Sequence, residues 1–546
     1  MRLITLLLLF TLTLQAQSPN TVGIIQQDVE ATYDGYNLIF PHNQGDVFLL
    51  DNCGQIVHRW VGETTDRPGN AVYLLENGNL VKCKRKNTSG PTSPIWAGGG
   101  GETVEVRTWE NELLHSFTLN DSLNRLHHDV AVLPNGNILM FAWENRNRME
   151  AIASGRDTAL LPQNKVWSET IFEWNPMQDE IVWEWRVWDH LVQDYDETQT
   201  NFGNPSAQPE RIDLNYDPTD GNPDWLHINA IAYNPVLDQI VLSVPHFDEI
   251  WVIDHSTTTV EAATSTGGNS GKGGDLLYRW GNPKAYGQGT DEDQQLFFQH
   301  DVQWLNPTAQ VGDADFGIMS LFNNRLPNGT SSGNLLRTTK TGSYDFVDNN
   351  YLPNDFERVV IYPKEDVRAA SAGLSSAQFL PNGNALLLSG RWGFGYEITP
   401  EDEVVWEYII PLKAGRPVTQ GEELSINNNI TFRMTRYGLD YPAFEGKDLS
   451  GGEYWELSPN EVFCGVVSTT ELIRAAQLSI SSNPAQDLVT ISSEEPTTIR
   501  IWSIQGELVE MLQFDGEQID VDVSNWQSGI YFLIASNGVS RKLIVY

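Results

Sequence analysis

The sequence predicts an all-β protein: a six-bladed β-propeller followed by a small C-terminal β-sandwich. Three observations carry this expectation. The segment from about residue 20 to 467 shows no long helical periodicity and many short apolar runs broken by Asn-Gly turns. Two strand units recur along it. From about Glu471 the pattern changes to short alternating strands between Asn-Pro, Gln-Gly, Ser-Gly and Asn-Gly turns, enough for a small sandwich.

The first recurring unit is apolar–Asn-Gly-Asn–apolar, at 74–81 (LLENGNLV), 132–141 (VLPNGNILMF) and 379–388 (FLPNGNALLL). Asn-Gly favours the tight turn that joins antiparallel strands. The second is a polar turn followed by an aromatic-rich strand, at 51–60, 177–188, 272–282 and 401–410. Alternation of the two units reads as blades of a propeller, about six of them at roughly 75 residues each. A sandwich or β-helix assembly is the alternative. Tryptophans such as Trp60, Trp183, Trp185, Trp280 and Trp406 fall in these units and are expected to pack between blades.

Composition narrows the partners. The 546 residues include 72 acidic and 34 basic side chains, a net charge of −38. Such a surface repels phosphate, which excludes nucleic acid and disfavours anionic membranes. Residues 1–16 (MRLITLLLLFTLTLQA) read as a signal peptide, and no later apolar run has membrane-spanning length. Cys53, Cys83 and Cys464 are an odd count, and a Cys53–Cys83 bridge is possible if their strands are adjacent. The acidic loop with Asp217, Asp220, Asn222 and Asp224 lacks the full calcium-loop spacing and reads as a solvated turn. The glycine-rich stretch 267–274 lacks the ending of a phosphate loop.

Aligning the repeats on Leu75, Leu133 and Leu380 places Asn70, His128 and Ser375 five residues earlier. His227 and His300 occupy the start of the same pattern in 226–242 and 297–305. Equivalent positions of successive blades surround a common axis, so three imidazoles are expected to converge. Converging histidines can bind metal, stabilise an oxyanion, move protons or act as a nucleophile. Asp129 and Asp301 directly follow histidines and are expected on the opposite face of their strands.

Two resemblances extend this reading. Asn483-Pro484-Ala485, Ile504-Gln505-Gly506, Ser528-Gly529-Ile530-Tyr531 and Lys542-Leu543-Ile544-Val545 resemble the C-terminal sorting domain of Bacteroidota type IX secretion substrates. That resemblance implies a secreted protein, extracellular or at the cell surface, handed to the type IX machinery by residues 471–546. The segments 126–139 (LHHDVAVLPNGNIL), 224–246 (DWLHINAIAYNPVLDQIVLSVPH) and 297–305 (FFQHDVQWL), in this order, resemble bacterial aryl-sulfate sulfotransferases over most of residues 30–445.

The second resemblance implies a six-bladed propeller (residues 17–467) that moves a sulfuryl group from a phenolic sulfate ester to a phenol. It implies a sulfohistidine intermediate, no nucleotide sulfate donor, and neither cofactor nor metal. By motif His300 is the nucleophile, with His128 and His227 supporting it. Asn229, two residues after His227, and His246 are candidate substrate-binding residues. The family carries an Arg before the histidine at 246, where this chain has Pro245. Arg279, Arg325, Arg391, Arg433 and Arg436 are candidate replacements, with Arg433 and Arg436 placed first because of their distinctive FRMTRYGLDYPAF segment. Two other readings remain open at this stage: a metal-dependent hydrolase or lyase using the three histidines, and a non-catalytic propeller that binds sulfated or anionic glycans.

Overall fold

The computed structural model describes residues 20–460, 478–481, 485–493, 497–503, 508–514, 517–535 and 540–546. The expected signal peptide, Cys464 and part of the sorting motifs lie outside these residues. The chain divides into two compact units, Met1–Pro459 and Asn460–Tyr546.

The first unit contains six antiparallel sheets of four or five strands among the described residues. Sheet I joins Thr431–Gly438, Gly35–Pro41, Val47–Leu50 and Ile56–Trp60. Sheet II joins Asp66–Leu74, Leu80–Lys86, Thr103–Arg107 and Leu113–Thr118. Sheet III joins Asn124–Val132, Ile138–Asn147, Lys165–Asn175 and Glu180–Arg186. Sheet IV joins Ala230–Asn234, Gln239–Val244, Glu249–Asp254 and Tyr278–Trp280. Sheet V joins His300–Trp304, Ile318–Asn323, Ser332–Arg337 and Arg358–Ile361. Sheet VI joins Ser376–Phe379, Ala385–Ser389, Phe394–Ile398 and Val404–Ile409, with Gly23–Gln27 added at its edge.

The first strands of sheets II to VI pack in succession, and Thr431–Gly438 touches both Ser376–Phe379 and Asp66–Leu74, so the contacts close a ring. The all-β expectation is met. The Asn-Gly unit is the hairpin between the first and second strands of sheets II, III and VI. In each hairpin only the glycine takes a positive φ: 84° at Gly78, 85° at Gly136 and 88° at Gly383. A two-residue primed turn would need the asparagine there as well, so these are longer turns with a left-handed glycine. The aromatic-rich unit supplies the fourth strand of sheets I, III, IV and VI.

Apolar side chains fill the spaces between consecutive sheets, which is why this ring needs so many large residues. Leu38 and Leu49 of sheet I meet Val72 and Leu80 of sheet II, with Trp60 buried among them. Val81 meets Val130 and Phe172 between sheets II and III. Trp183, Trp185 and Trp251 fill the space between sheets III and IV. Val241 and Trp280 face Val302 and Met319 between sheets IV and V. Phe322 meets Ala377 and Leu387 between sheets V and VI. Tryptophan therefore packs sheets together, as the sequence suggests. Cys83 is buried and free, so the Cys53–Cys83 bridge left open above does not form.

In the second unit, Leu478–Ser481, Leu488–Ser493 and Glu517–Asp522 form one antiparallel sheet. Leu508–Phe514, Thr497–Ser503, Gly529–Ala535 and Ser540–Val545 form another. Val489, Ile491 and Val521 of the first share a core with Ile499, Ile501, Tyr531, Leu533 and Leu543 of the second. No helix among the described residues is long and apolar enough to cross a membrane.

Candidate active site

The repeat positions marked in the sequence share a backbone feature. Asn70, His128, His227 and Ser375 have φ of 97°, 52°, 57° and 94°. In sheet V the left-handed residue is Asp301, φ 59°, immediately after His300. Non-glycine residues are held there only where the surroundings impose it, at a cost of about 1 kcal/mol or more. The pairing slips at the same places: Met140 faces Val130 while Ala142 faces Leu126, and a second slip separates His300 from Gln303. Such bulges re-aim side chains. Here they divide His128 from Asp129 and His300 from Asp301.

The structure brings the histidines together. The rings of His128 and His227 lie 4.7 Å apart, edge to face. His246 stacks on His227 at 4.9 Å and 17°. Phe298 lies 6.2 Å from His227, 5.7 Å from His246 and 5.7 Å from His300. Phe432 sits 6.0 Å from His128 and 6.4 Å from His300. Gly99 covers His128, and a Cβ at that position would collide with the imidazole.

Hydrogen bonds fix the His300 tautomer. Asn324 donates its amide to the carbonyls of Ser371 and Leu374, both at 2.9 Å, so its oxygen must face His300 Nδ1, 2.8 Å away, as an acceptor. The His300 proton is therefore on Nδ1. Nε2 keeps its lone pair and accepts the Leu374 N–H at 3.1 Å. Burial pushes the His300 pKa down to about 3, which keeps the ring neutral.

His227 donates Nδ1–H to Asp224 Oδ2 at 2.5 Å. His246 donates Nδ1–H to the Asp224 carbonyl at 2.7 Å. Burial acts to raise the Asp224 carboxyl, but His227 and then His246 hold it below its usual range. Burial, with His227 beside it, pushes His246 down to about 4. Asp224, His227 and His246 place one donor atom each within 4.8 Å, the spacing of a metal trio. Both imidazoles give Nδ1 to Asp224, so hydrogen bonds hold the trio together.

Other sequence candidates lie elsewhere. Arg433 is buried between Asp129 and Asp301, at 2.9 and 2.7 Å, and also bonds Tyr73. Those carboxylates raise its pKa further although burial opposes them. Arg436 bonds Glu397, Asn37 and the Tyr33 carbonyl beneath Trp406, joining sheets I and VI. Both guanidiniums are held by buried partners, so neither replaces the cation lost at Pro245. Arg279 is likewise buried against Glu249. Asn229 donates its amide to the Gln299 carbonyl at 2.8 Å, steadying the residue before His300 instead of facing a substrate. Asp217 pairs with buried Arg156, which accounts for one member of the acidic loop.

Arg325 is the cation beside the imidazoles. Its guanidinium carbon lies 3.5 Å from the centre of the Phe298 ring, and its charge adds to the lowering of His300. With His246, Pro245, Phe297 and Asp248 it lines a cleft of about 450 Å³. Arg391 lies close enough to repel it. Arg325 donates Nε to the Ala372 carbonyl at 2.8 Å and is attracted by the Asp248 carboxylate, but it makes no ion pair within 4.0 Å among the described residues.

Sequence reasoning missed His127, Glu169, Asp224 as a partner, Asn324 and the two phenylalanines. His127 bonds Glu169 at 2.7 Å and His128 at 2.9 Å, and stacks on Trp143 at 3.9 Å. The His-His doublet at 127–128 and the i,i+3 spacing of Asp224 and His227 were the available signals.

The first unit is thus a ring of antiparallel sheets that gathers His128, His227 and His246, with Phe298, His300 and Arg325 beside them. The chain belongs to the arylsulfotransferase (ASST) family, whose model matches residues 23–421. Residues 480–546 match the secretion system C-terminal sorting domain, which places the protein among secreted or cell-surface proteins. No curated protein sequence matches significantly. Solved structures similar to the chain include a protein of unknown function from Bacteroides caccae, 12% identical, covering 74% of this chain and 99% of that one with a TM-score of 0.39. A functionally unknown protein from Desulfotomaculum acetoxidans is 8% identical, covering 74% and 100%, TM-score 0.35. The virginiamycin B lyase from Staphylococcus aureus is 10% identical, covering 72% and 89%, TM-score 0.30.

Proposed function

We propose that the six sheets are the blades of a six-bladed propeller, and that the protein moves a sulfuryl group from a phenolic sulfate ester to a phenol through a sulfohistidine on His300. The supporting observation is the His300 tautomer: Nδ1–H donates to Asn324, which leaves a neutral Nε2 lone pair, and the His227 imidazole lies near enough to lower the ring's pKa.

In the first half-reaction Nε2 attacks sulfur, the sulfur–oxygen bond to the aryl group breaks, and the phenol leaves. The Leu374 N–H, which bonds Nε2 in the free protein, is released as nitrogen bonds sulfur and can donate to a sulfonate oxygen. His227, backed by Asp224, donates from Nε2 to the same oxygens when protonated. Arg325 supplies the fixed positive charge that Pro245 does not, and Phe298 and Phe432 flank the aromatic ring of the substrate. A phenol acceptor then attacks the sulfohistidine. Residues 1–16 serve as the leader, 17–467 as the catalytic domain and 471–546 as the sorting address.

The test is a mass spectrum of the mature protein after exposure to para-nitrophenyl sulfate. A sulfuryl adduct on His300 that disappears on adding a phenol, and is absent in His300→Ala, is the expected result. Turnover in His300→Ala should fall at least about 1,000-fold, as for loss of a covalent nucleophile. Transfer that survives this substitution would sink the reading.

A further inference from the structure

Behind His128 runs a buried chain of three hydrogen-bonding groups. The Ile228 N–H donates to Glu169 Oε1 at 3.2 Å, leaving Oε2 to face His127 Nε2 at 2.7 Å. His127 Nδ1 faces His128 Nδ1 at 2.9 Å. Glu169 and His127 side chains have no exposed surface, and Trp143 stacks on His127 at 3.9 Å and holds its plane. His128 Nε2 has no hydrogen-bond partner among the described residues.

We infer that Glu169, His127 and His128 form a proton relay that lends one proton to the departing phenol and takes it back from the acceptor phenol. This rests on the transferase reading above.

Two proton orders, each the reverse of the other, satisfy these contacts, and the relay takes the one in which Glu169 rests as the acid. Burial lifts the Glu169 carboxyl well above its usual range, with Asp224 adding to the effect, which favours the protonated acid. Burial pushes both His127 and His128 well below theirs, so both rest neutral. A protonated Glu169 donates Oε2–H to His127 Nε2. The single proton of His127 is then on Nδ1 and donates to His128 Nδ1. The single proton of His128 is therefore on Nε2. His128 and His300 thus present opposite tautomers to one site: an N–H on the first and a lone pair on the second. A general acid and a nucleophile need that difference.

In the first half-reaction the His300 Nε2–sulfur bond forms as the sulfur–oxygen bond breaks, and that bond's electron pair stays on the phenolic oxygen. The oxygen takes the His128 Nε2 proton. His128 Nδ1 takes the proton of His127 Nδ1, and His127 Nε2 takes the proton of Glu169, which is left a carboxylate. The acceptor phenol reverses each transfer as its oxygen attacks sulfur, and Glu169 is an acid again. No proton is exchanged with solvent over the cycle. Glu169 and His127 touch no substrate, and they act through His128.

The experiment compares two donors under single turnover. The phenol of phenyl sulfate has a pKa of about 10 and needs a proton to leave. The phenol of para-nitrophenyl sulfate is acidic enough to leave as its anion. Glu169→Gln keeps the size of the side chain and its acceptor for Ile228 but holds no transferable proton. It should slow phenyl sulfate by about 100-fold or more and para-nitrophenyl sulfate by less than about threefold. His127→Phe, which keeps a ring against Trp143 and removes both nitrogens, should give the same split. Equal losses with both donors would mean that these residues only hold His128 in place, and would overturn the relay. So would no loss with either. Absence of a His300 adduct in the unmodified protein would instead overturn the transferase reading, and the relay with it.

Discussion

His128 and Asp129 are neighbours in the chain, as are His300 and Asp301, yet each pair is divided between two environments. The histidines are buried and neutral; Nε2 of His128 is unshared, and Nε2 of His300 accepts only the Leu374 N–H. The aspartates meet Arg433, with Tyr73 also bonded to Asp129; each carboxylate pairs with the guanidinium and accepts an N–H of the next sheet, Ile231 on Asp129 and Ala377 on Asp301. One left-handed residue in each strand makes the division. The comparison shows that one strand end can carry both chemistry and closure, provided that a bulge sends consecutive side chains apart.

The sharpest test removes the closing cation. Arg433→Met leaves Asp129 and Asp301 buried without compensation and should cost about 3–5 kcal/mol, read as a lower urea midpoint. Adding Asp129→Asn should restore part of it. A variant of full stability with a raised KM would break the comparison, because it would put Arg433 on the substrate side.

Arg325→Ala tests the other environment. It should leave the urea midpoint unchanged and raise KM for an aryl sulfate about five- to tenfold, with the difference shrinking in high salt. An unchanged KM would mean that Arg325 is not the replacement for the cation missing at Pro245.

The smallest expected effect is on pH. An ordinary histidine, with a pKa of about 6.5, would lose its nucleophilic form about 30-fold between pH 8 and 5. His300, held near 3, stays neutral throughout that range. Single-turnover formation of the adduct from para-nitrophenyl sulfate should therefore change less than about twofold over it. Stability has its own sign. A histidine whose folded pKa lies below its unfolded value contributes stability above pH 6.5, and that contribution is lost as pH falls toward 3. His255, raised to about 9 by Asp238 and Glu173 against burial, acts oppositely: its contribution is present below 6.5 and lost as pH rises through about 9.

Repetition made the frame legible. The Asn-Gly hairpins and the aromatic fourth strands are local patterns, and anchoring on them put Asn70, His128, His227 and Ser375 in register before any geometry was known. Shared positive φ values are the physical content of that register. Arg433 and Arg436 were misplaced for a reason of the opposite kind. Their partners Asp129, Asp301 and Glu397 lie on other sheets, and local sequence carries no sign of such pairings. Arg325 stood among several candidates without a distinguishing mark, since what singles it out is a phenylalanine from the start of its own sheet. His127 hid behind His128, because a bulge, invisible in the sequence, decides which of two adjacent histidines faces outward.

The ring is closed by the strand Thr431–Gly438, which pairs with Gly35–Pro41 near the beginning of the chain. That strand carries Phe432, the wall between His128 and His300, and Arg433, the counter-charge for both aspartates. During synthesis all four imidazoles therefore emerge more than 130 residues before the two side chains that complete their surroundings. A chain released before residue 431 holds every residue of the reacting cluster and no finished site. Assembly is thus timed by the last strand to arrive, which makes reactivity a report on complete folding.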